Sequence, residues 1–363
     1  MVSNLLLQKA LDEMKRLTGR NMTVFDTDGQ IVACTYDAAI KSDDEAKKVA
    51  SGEEEKASWG EFTYYQIISD EKCAYVLRLN GITEADEMVG IMGRYQIETI
   101  ISAYKEKYDR DNFFKSLLMD NLMLVDIFDR SKRLHIEIEE DRIVYLIQLR
   151  NKFQDSAINS VKNLFMSDKE SYCAALDKKN IVVIRRLQPE DNENRLSSIA
   201  QNIYNVIKNE AGDDAYVSYG TVAEDLKAIS KSYQEAKMAL EVGKIFFEDK
   251  YINSYAKLGI GRLIYQLPSP LCKMFLKEIF KELTIKDFDE ETLSTVDKFF
   301  ENSLNVSETS RQLFIHRNTL VYRLDKIEKM TGLDLRNFDD AIIFKIALMV
   351  SQYMQYVEKL EQR

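Results

Sequence analysis

Apolar residues near the start of the chain recur with helical spacing. Leu5, Leu6, Ala10, Met14 and Leu17 lie on one stripe that stops at Gly19, which predicts an amphipathic helix. The period then changes. Met22-Thr23-Val24-Phe25 and Ile31-Val32-Ala33-Cys34 read as two short strands flanking Asp26-Thr27-Asp28-Gly29. Asp-Gly between apolar runs signals a hairpin, because both residues tolerate positive φ. Two further strands are expected over about Phe62 to Ile68 and Cys73 to Leu79, joined by the polar turn Ser69-Asp70-Glu71-Lys72. From Glu84 to about Leu134 the pattern is helical, through Met88, Ile91, Met92, Tyr95, Ile100, Ile101 and Tyr104.

The middle of the chain alternates strand and helix. Ile143 to Leu149 is a strand and Ile158 to Phe165 a helix; Tyr172 to Leu176 and Ile181 to Ile184 pair across Asp177-Lys178-Lys179-Asn180. Leu196 to Ile207 is a helix, Tyr216 to Tyr219 a strand and Leu226 to Leu240 a helix. The order β-α-β-β-α-β is that of a ferredoxin-like sheet with helices on one face. After Tyr251 the chain reads as entirely helical, with one break at Pro268 and Pro270. The expected fold class is therefore multidomain α+β: a small α/β sheet, a ferredoxin-like domain and an all-α C-terminal domain.

In the last stretch, Asn305 followed three residues later by Glu308 is a capping-box arrangement that starts a helix at Val306. Its buried side would carry Val306, Ser310 and Leu313. A turn through Phe314 and Ile315 leads to a second helix opening at His316 and burying Leu320, Leu324 and Ile327. Leu293, Val296 and Phe300 before it, and Ile342, Ile346 and Val350 after it, supply supporting helices. His316, Arg317, Asn318, Thr319, Tyr322 and Arg323 are left facing outward. In a helix-turn-helix, the first residues of the second helix meet base edges in the major groove. Arginine reads guanine and asparagine reads adenine, while threonine, tyrosine and the helix N-terminus suit phosphate. The alternative is a solvated face on an ordinary helical hairpin.

Charge modifies this picture only locally. The chain of 363 residues carries a net charge of −10, yet phosphate contact depends on local sign. Acid is concentrated early, in Ser42-Asp43-Asp44-Glu45 and Glu53-Glu54-Glu55, whereas Val306 to Arg323 holds Arg311, Arg317 and Arg323 against Glu308 alone. Cys34, Cys73, Cys173 and Cys272 are scattered without metal-ligand spacing and read as reduced core residues. With two histidines, His135 and His316, far apart, histidine-based catalysis is not expected. No G-x-S-x-G or G-x-x-x-x-G-K motif occurs, and Gly259-Ile260-Gly261 is a lone G-x-G that reads as a helix entry. Charges interrupt every long apolar stretch well short of the roughly 18 residues of a membrane span. The first residues lack the basic start and apolar core of a signal peptide, so a cytoplasmic location is expected.

The run Ile315-His316-Arg317-Asn318-Thr319-Leu320-Val321-Tyr322-Arg323-Leu324, with Ile327-Glu328 and Thr331-Gly332-Leu333-Asp334-Leu335, resembles the C-terminal helix-turn-helix of the PucR/CdaR family of purine-catabolism and sugar-diacid regulators. Lys257 to Ile264 resembles that family's approach to this domain. Val217-Ser218-Tyr219-Gly220 and Ser232 to Leu240 resemble its central domain, a degenerate relative of diguanylate cyclase (GGDEF) domains. An active cyclase needs glycines beside phosphate and acids for metal at one hairpin. Here that hairpin is Leu176-Asp177-Lys178-Lys179-Asn180, so no catalysis and no cofactor are expected. Asn21 to Ala33 and Val89 to Arg94 are similar to the opening and close of the family's diacid-recognition domain. Between them, Tyr36-Asp37-Ala38-Ala39-Ile40 departs from it.

The resemblance implies a ligand-responsive regulator built as a sensor over 1–108, a GGDEF-like domain over 109–250, connecting helices over 251–290 and a DNA-binding domain over 291–363. Arg311, His316, Arg317, Asn318, Thr319, Tyr322 and Arg323 are the expected DNA contacts. A dicarboxylate needs cations and hydroxyl donors, for which Arg78, Arg94, Thr35, Tyr64 and Tyr65 are the candidates. The single Trp59 is expected to be a core anchor. Near-palindromic operator DNA, a small carboxylate effector and a second copy of the chain, as a homodimer or higher homo-oligomer, are the expected partners; a membrane is not.

Overall fold

The computed structural model describes residues 4–36, 42–52, 54–151, 155–168, 170–247, 250–281 and 283–361. It divides into two compact units, Met1–Lys115 with Arg130–Ile136, and Ser116–Asp129 with Glu137–Arg363.

In the first unit, α1 (Asn4–Thr18) leads into β1 (Met22–Phe25) and β2 (Ile31–Cys34). Then come α2 (Asp44–Ser51), β3 (Lys56–Trp59), β4 (Phe62–Ser69), β5 (Lys72–Asn80) and the long α3 (Glu84–Leu118). The strands form one antiparallel sheet in the order β2-β1-β5-β4-β3. Successive residues of a strand point to opposite faces, so the sheet builds two cores. On one face Val24, Tyr65, Leu77 and Leu79 pack with Leu7, Leu11 and Met14 of α1 and Ile97 and Ile101 of α3. α3 lies flush on this face because residue 90 is glycine: a Cβ there would stand 2.2 Å from the Tyr65 ring. On the other face Phe25, Tyr64 and Val76 pack with Ala46 and Val49 of α2.

The structure corrects the sequence reading at several points between Asp43 and Arg133. α2 and β3 lie in a stretch read only as acidic. Trp59, expected in the core, is 41% exposed on edge strand β3, its ring edge-on to Tyr64 at 5.5 Å. The helix expected to run to Leu134 stops at Leu118 and restarts as α4 (Leu124–Arg133). The stop is a left-handed turn at Asp120, φ +57°, closed by the Asn121 amide donating to the Ser116 carbonyl at 2.9 Å. Of the divergent segment Tyr36 to Ile40, residues 37–40 lie outside the described residues.

The second unit opens with β6 (Arg142–Leu149), α5 (Asp155–Leu164), β7 (Tyr172–Ala175), β8 (Asn180–Arg186), α6 (Glu193–Val206) and β9 (Ala215–Tyr219), the anticipated β-α-β-β-α-β order. Ile143, Tyr145, Ile147 and Leu149 of β6 pack beneath α5 and α6 through Ala157, Val161, Leu196, Ala200 and Ile203. α7 (Ile229–Phe246) lies against β6 and β9 on the opposite face, so helices cover both sides of this sheet. Ser232 of α7 donates its hydroxyl to the Thr221 carbonyl at 2.7 Å. The expectation of an all-helical chain after Tyr251 fails at β10 (Ile252–Ser254). It adds to the sheet parallel to β9, giving the order β10-β9-β6-β8-β7.

Among the described residues six α-helices follow: α8 (Gly261–Tyr265), α9 (Ser269–Phe280), α10 (Glu290–Glu301), α11 (Val306–Gln312), α12 (Arg317–Thr331) and α13 (Phe338–Glu361). Their core holds Val296 and Phe299 of α10, Leu320, Leu324 and Ile327 of α12, and Phe344 and Ala347 of α13. Phe280, Phe288 and Phe344 meet edge to face at its centre, 5.8–6.0 Å apart. Ile342, expected on the packing side of α13, is 41% exposed; the buried stripe is Ala341, Phe344, Ala347, Val350 and Met354. No described helix is long and apolar enough to cross a membrane.

Candidate functional site

α11 and α12 form two helices joined by a tight turn. The Asn305 side chain caps α11, accepting from the Ser307 and Glu308 amides at 3.0 Å each. Only half of the expected capping box forms, because the Glu308 carboxylate turns away to Arg311, at 2.6 and 3.0 Å, and Gln312. Those bonds, Arg311 foremost, hold the Glu308 carboxyl down to about 2. Thr309 and Ser310 supply the buried side of α11, while Val306 and Leu313 are half-buried. The small hydroxyl side chains permit close approach to α12.

His316 caps α12, its Nδ1 accepting from the Asn318 amide at 3.2 Å. Leu320, Leu324 and Ile327 are fully enclosed, as their spacing requires. Gly332 ends the helix at φ +83°, donating its amide to Glu328, which lets Leu335 return to the core. The Thr331 to Leu335 run is thus a helix stop plus an apolar anchor.

The outward edge of α12 holds His316, Arg317, Asn318, Thr319 and Tyr322, all exposed. Arg317 has no ion-pair partner among the described residues. Arg323 does not share this edge: it turns to α10, donating to Thr295 Oγ1 at 2.9 Å and pairing with Glu291 at 2.6 Å. Arg311 is exposed but neutralised by Glu308. Of the three arginines that made this stretch basic, one is left unpaired at the tip of α12.

The five candidate effector residues do not meet. Tyr64 and Arg78 converge on the α2 face of the first sheet. Tyr65 lies on the opposite face with its hydroxyl on the Glu87 carbonyl, and Arg94 of α3 is held by Glu55 at 2.6 Å and Glu98. Thr35 spends its hydroxyl on the Met22 backbone.

Around Arg78 the structure adds groups the sequence did not single out. The guanidinium pairs with Asp43, is nearly closed off from solvent at 6% exposure, and donates a second bond to the Tyr36 hydroxyl. Phe25 and Phe62 stack on it at 5.0 and 4.7 Å. Asp43 also caps α2, accepting from the Glu45 and Ala46 amides, and receives the Tyr64 hydroxyl at 3.1 Å. Burial pushes the Asp43 carboxyl up, but the Ala46 amide, Tyr64 and Arg78 together outweigh it and hold it below the usual carboxylate range. Burial, then the Asp43 charge, lifts Tyr64 to about 12. Asp43 was findable: an aspartate ahead of Ala46 and Val49 is an N-cap signal. A separate cavity of about 620 Å³, lined by Asp26, Thr27, Tyr75, Tyr104, Lys105 and Tyr108, contains none of the five candidates.

Two family models match: the PucR C-terminal helix-turn-helix domain over residues 292–350, and a GGDEF-like domain over residues 121–242. The chain thus carries the two domains, GGDEF-like and PucR-type helix-turn-helix, that it shares with the PucR/CdaR regulators. A carbohydrate diacid regulator of Escherichia coli (strain K12) is 27% identical over 236 residues, 61% of this chain and 60% of that protein. A purine catabolism regulatory protein of Bacillus subtilis (strain 168) is 27% identical over 139 residues, 38% of this chain and 26% of that one. The chain therefore spans less than two thirds of the length of either. An uncharacterized B. subtilis protein, YsfB, is 22% identical across 95% of this chain and 96% of its own length.

The Arg311–Glu308 pair yields a prediction in salt dependence. Arg311→Ala is expected to weaken binding evenly across sequences and lower the slope of log affinity against log salt by about one per protomer. Glu308→Gln, which frees the guanidinium, should raise affinity and steepen that slope. Titrations at several salt concentrations check both; opposite signs would remove Arg311 from the phosphate contacts.

Proposed function

We propose that the protein binds near-palindromic operator DNA as a homodimer and changes its occupancy in response to a small carboxylate, a sugar diacid being the first choice. One observation carries the DNA half: α12 buries Leu320, Leu324 and Ile327 while leaving Arg317, Asn318 and Thr319 free at its exposed N-terminal end. One helix-turn-helix covers a half-site, so two copies are needed for a full site. Cytoplasmic residence follows from a DNA partner.

The effector half is supported by Arg78, a buried guanidinium between two aromatic rings with tyrosine hydroxyls beside it. A carboxylate already sits there, that of Asp43, and an effector carboxylate would take its place. A single arginine matches a single carboxylate, since Arg94 faces elsewhere. That favours, as the second reading, a hydroxy acid or a purine catabolite with one acid group. The domain roles follow the sequence reading: sensor over 1–108, relay over 109–250, connecting helices over 251–290 and DNA reader over 291–363. The relay is non-catalytic in this reading, because the hairpin acid Asp177 is consumed by its own turn, accepting from Lys179 and Asn180.

Selection of bound genomic fragments tests the DNA half; recovery of no sequence would reject it. A thermal-shift screen of sugar diacids, hydroxy acids and purine catabolites tests the other. A true effector at 100-fold over its Kd stabilises by about 2.7 kcal/mol. That shift should vanish in Arg78→Met, and its persistence there would move the site elsewhere.

A further inference from the structure

α11 ends in a left-handed turn with a defined bonding pattern. The Ile315 amide donates to the Ser310 carbonyl at 3.1 Å and the Phe314 amide to the Arg311 carbonyl at 3.3 Å. This is a Schellman ending, in which the residue after the cap must take positive φ, and Phe314 sits there at +54°. Glycine is the residue that takes this conformation without strain, with asparagine next. The chain instead carries a phenylalanine. Its ring contributes nothing to the fold, being 96% exposed, although Leu313 and Ile315 on either side are half-buried. A large apolar side chain that is both strained and unpacked serves something outside the protomer.

Its place says what. Phe314 lies two residues before the His316 cap of α12, at the end that holds Arg317, Asn318 and Thr319. Beside base-edge readers, the apolar feature of the major groove available to a ring is the thymine 5-methyl group, which phenylalanine can contact directly. We propose that Phe314 is a specificity-determining residue whose ring packs on a thymine methyl in each half-site. The proposal rests on the reading of α12 as the DNA-reading helix, and deepens it.

The test uses the full chain and the duplex that it enriches from a random-sequence library. Phe314→Asn keeps a residue that accepts positive φ, so it should fold and melt no lower than the wild type. Its affinity should fall about tenfold, equivalent to about 1.4 kcal/mol. Its salt slope should not change, because no phosphate contact is lost. Thymines are then replaced one at a time by uracil, which lacks only the methyl. The wild type should lose affinity at one thymine per half-site, and Phe314→Asn should lose nothing more there. Equal affinity of the two proteins overturns the proposal. So does a weaker variant for which no uracil position separates it from the wild type. If the wild type enriches no sequence at all, the reading of α12 itself fails and takes this inference with it.

Discussion

An Arg317→Ala, Asn318→Ala double variant is expected to lose specific operator binding while keeping its fold and its weak, salt-sensitive hold on any DNA. Each bidentate contact to a base is worth about 1–3 kcal/mol, and a dimer makes each of them twice. Two residues on two half-sites then account for roughly 4–12 kcal/mol if additive, against a specific-to-non-specific gap of about 4–10 kcal/mol. The loss is thus large enough to erase discrimination altogether. Both side chains are exposed, so stability should move by no more than about 0.5 kcal/mol. Mobility shifts with the selected duplex and a scrambled one separate the two terms. Unchanged preference for the selected duplex would mean that α12 does not read bases, and that the helix pair is a scaffold which retained the shape alone.

The contrast between the two ends of the molecule shows what a sequence can disclose. The α11–α12 pair was legible because its determinants are local: Asn305 and His316 cap helices, Leu320, Leu324 and Ile327 repeat at helical spacing, and Gly332 stops the second helix. The β1–β2 hairpin was legible for the same reason, with Thr23 opposite Cys34 and Val24 opposite Ala33. The break at Asp120-Asn121 was missed because both flanks have helical periodicity, although aspartate and asparagine, poor inside helices and tolerant of the left-handed turn, marked it. α2 has only Ala46 and Val49 to bury, too few to stand out against its charge. The effector cluster depends on pairings 35 and 42 residues apart, Arg78 with Asp43 and with Tyr36, which no local pattern encodes. One part was nonetheless deducible. Tyr64 and Tyr65 are neighbours on a strand and must face opposite ways, so they could not both line one pocket. The outward arginines needed three dimensions as well: Arg323 lies six residues past Arg317, and Glu291 on α10 draws it off the exposed edge.

Asp43→Ala is expected to destabilise the first unit by about 3–5 kcal/mol, the usual cost of removing one partner from a buried ion pair. The reason is what stays behind. Arg78 would keep its charge at 6% exposure with the neutral Tyr36 and Tyr64 hydroxyls and two aromatic faces around it. Tyr64 would lose its acceptor, and α2 its cap, itself worth about 1 kcal/mol. Asp43→Asn separates these contributions, since asparagine caps as well as aspartate but brings no charge; it should recover the cap and little else. Adding Arg78→Met to Asp43→Asn removes the stranded cation and should restore part of the loss. The sign with pH follows from the depressed Asp43 carboxyl. Its folded value lies below the unfolded value of about 3.9, so its contribution is fully present above that pH and is lost as pH falls through the lower, folded value. Urea unfolding from pH 7 downward should therefore show the gap between wild type and Asp43→Asn holding to about pH 4 and closing below it. A gap already absent at pH 7 would mean that Asp43 contributes no net stability at Arg78, and that an effector carboxylate could displace it at little cost.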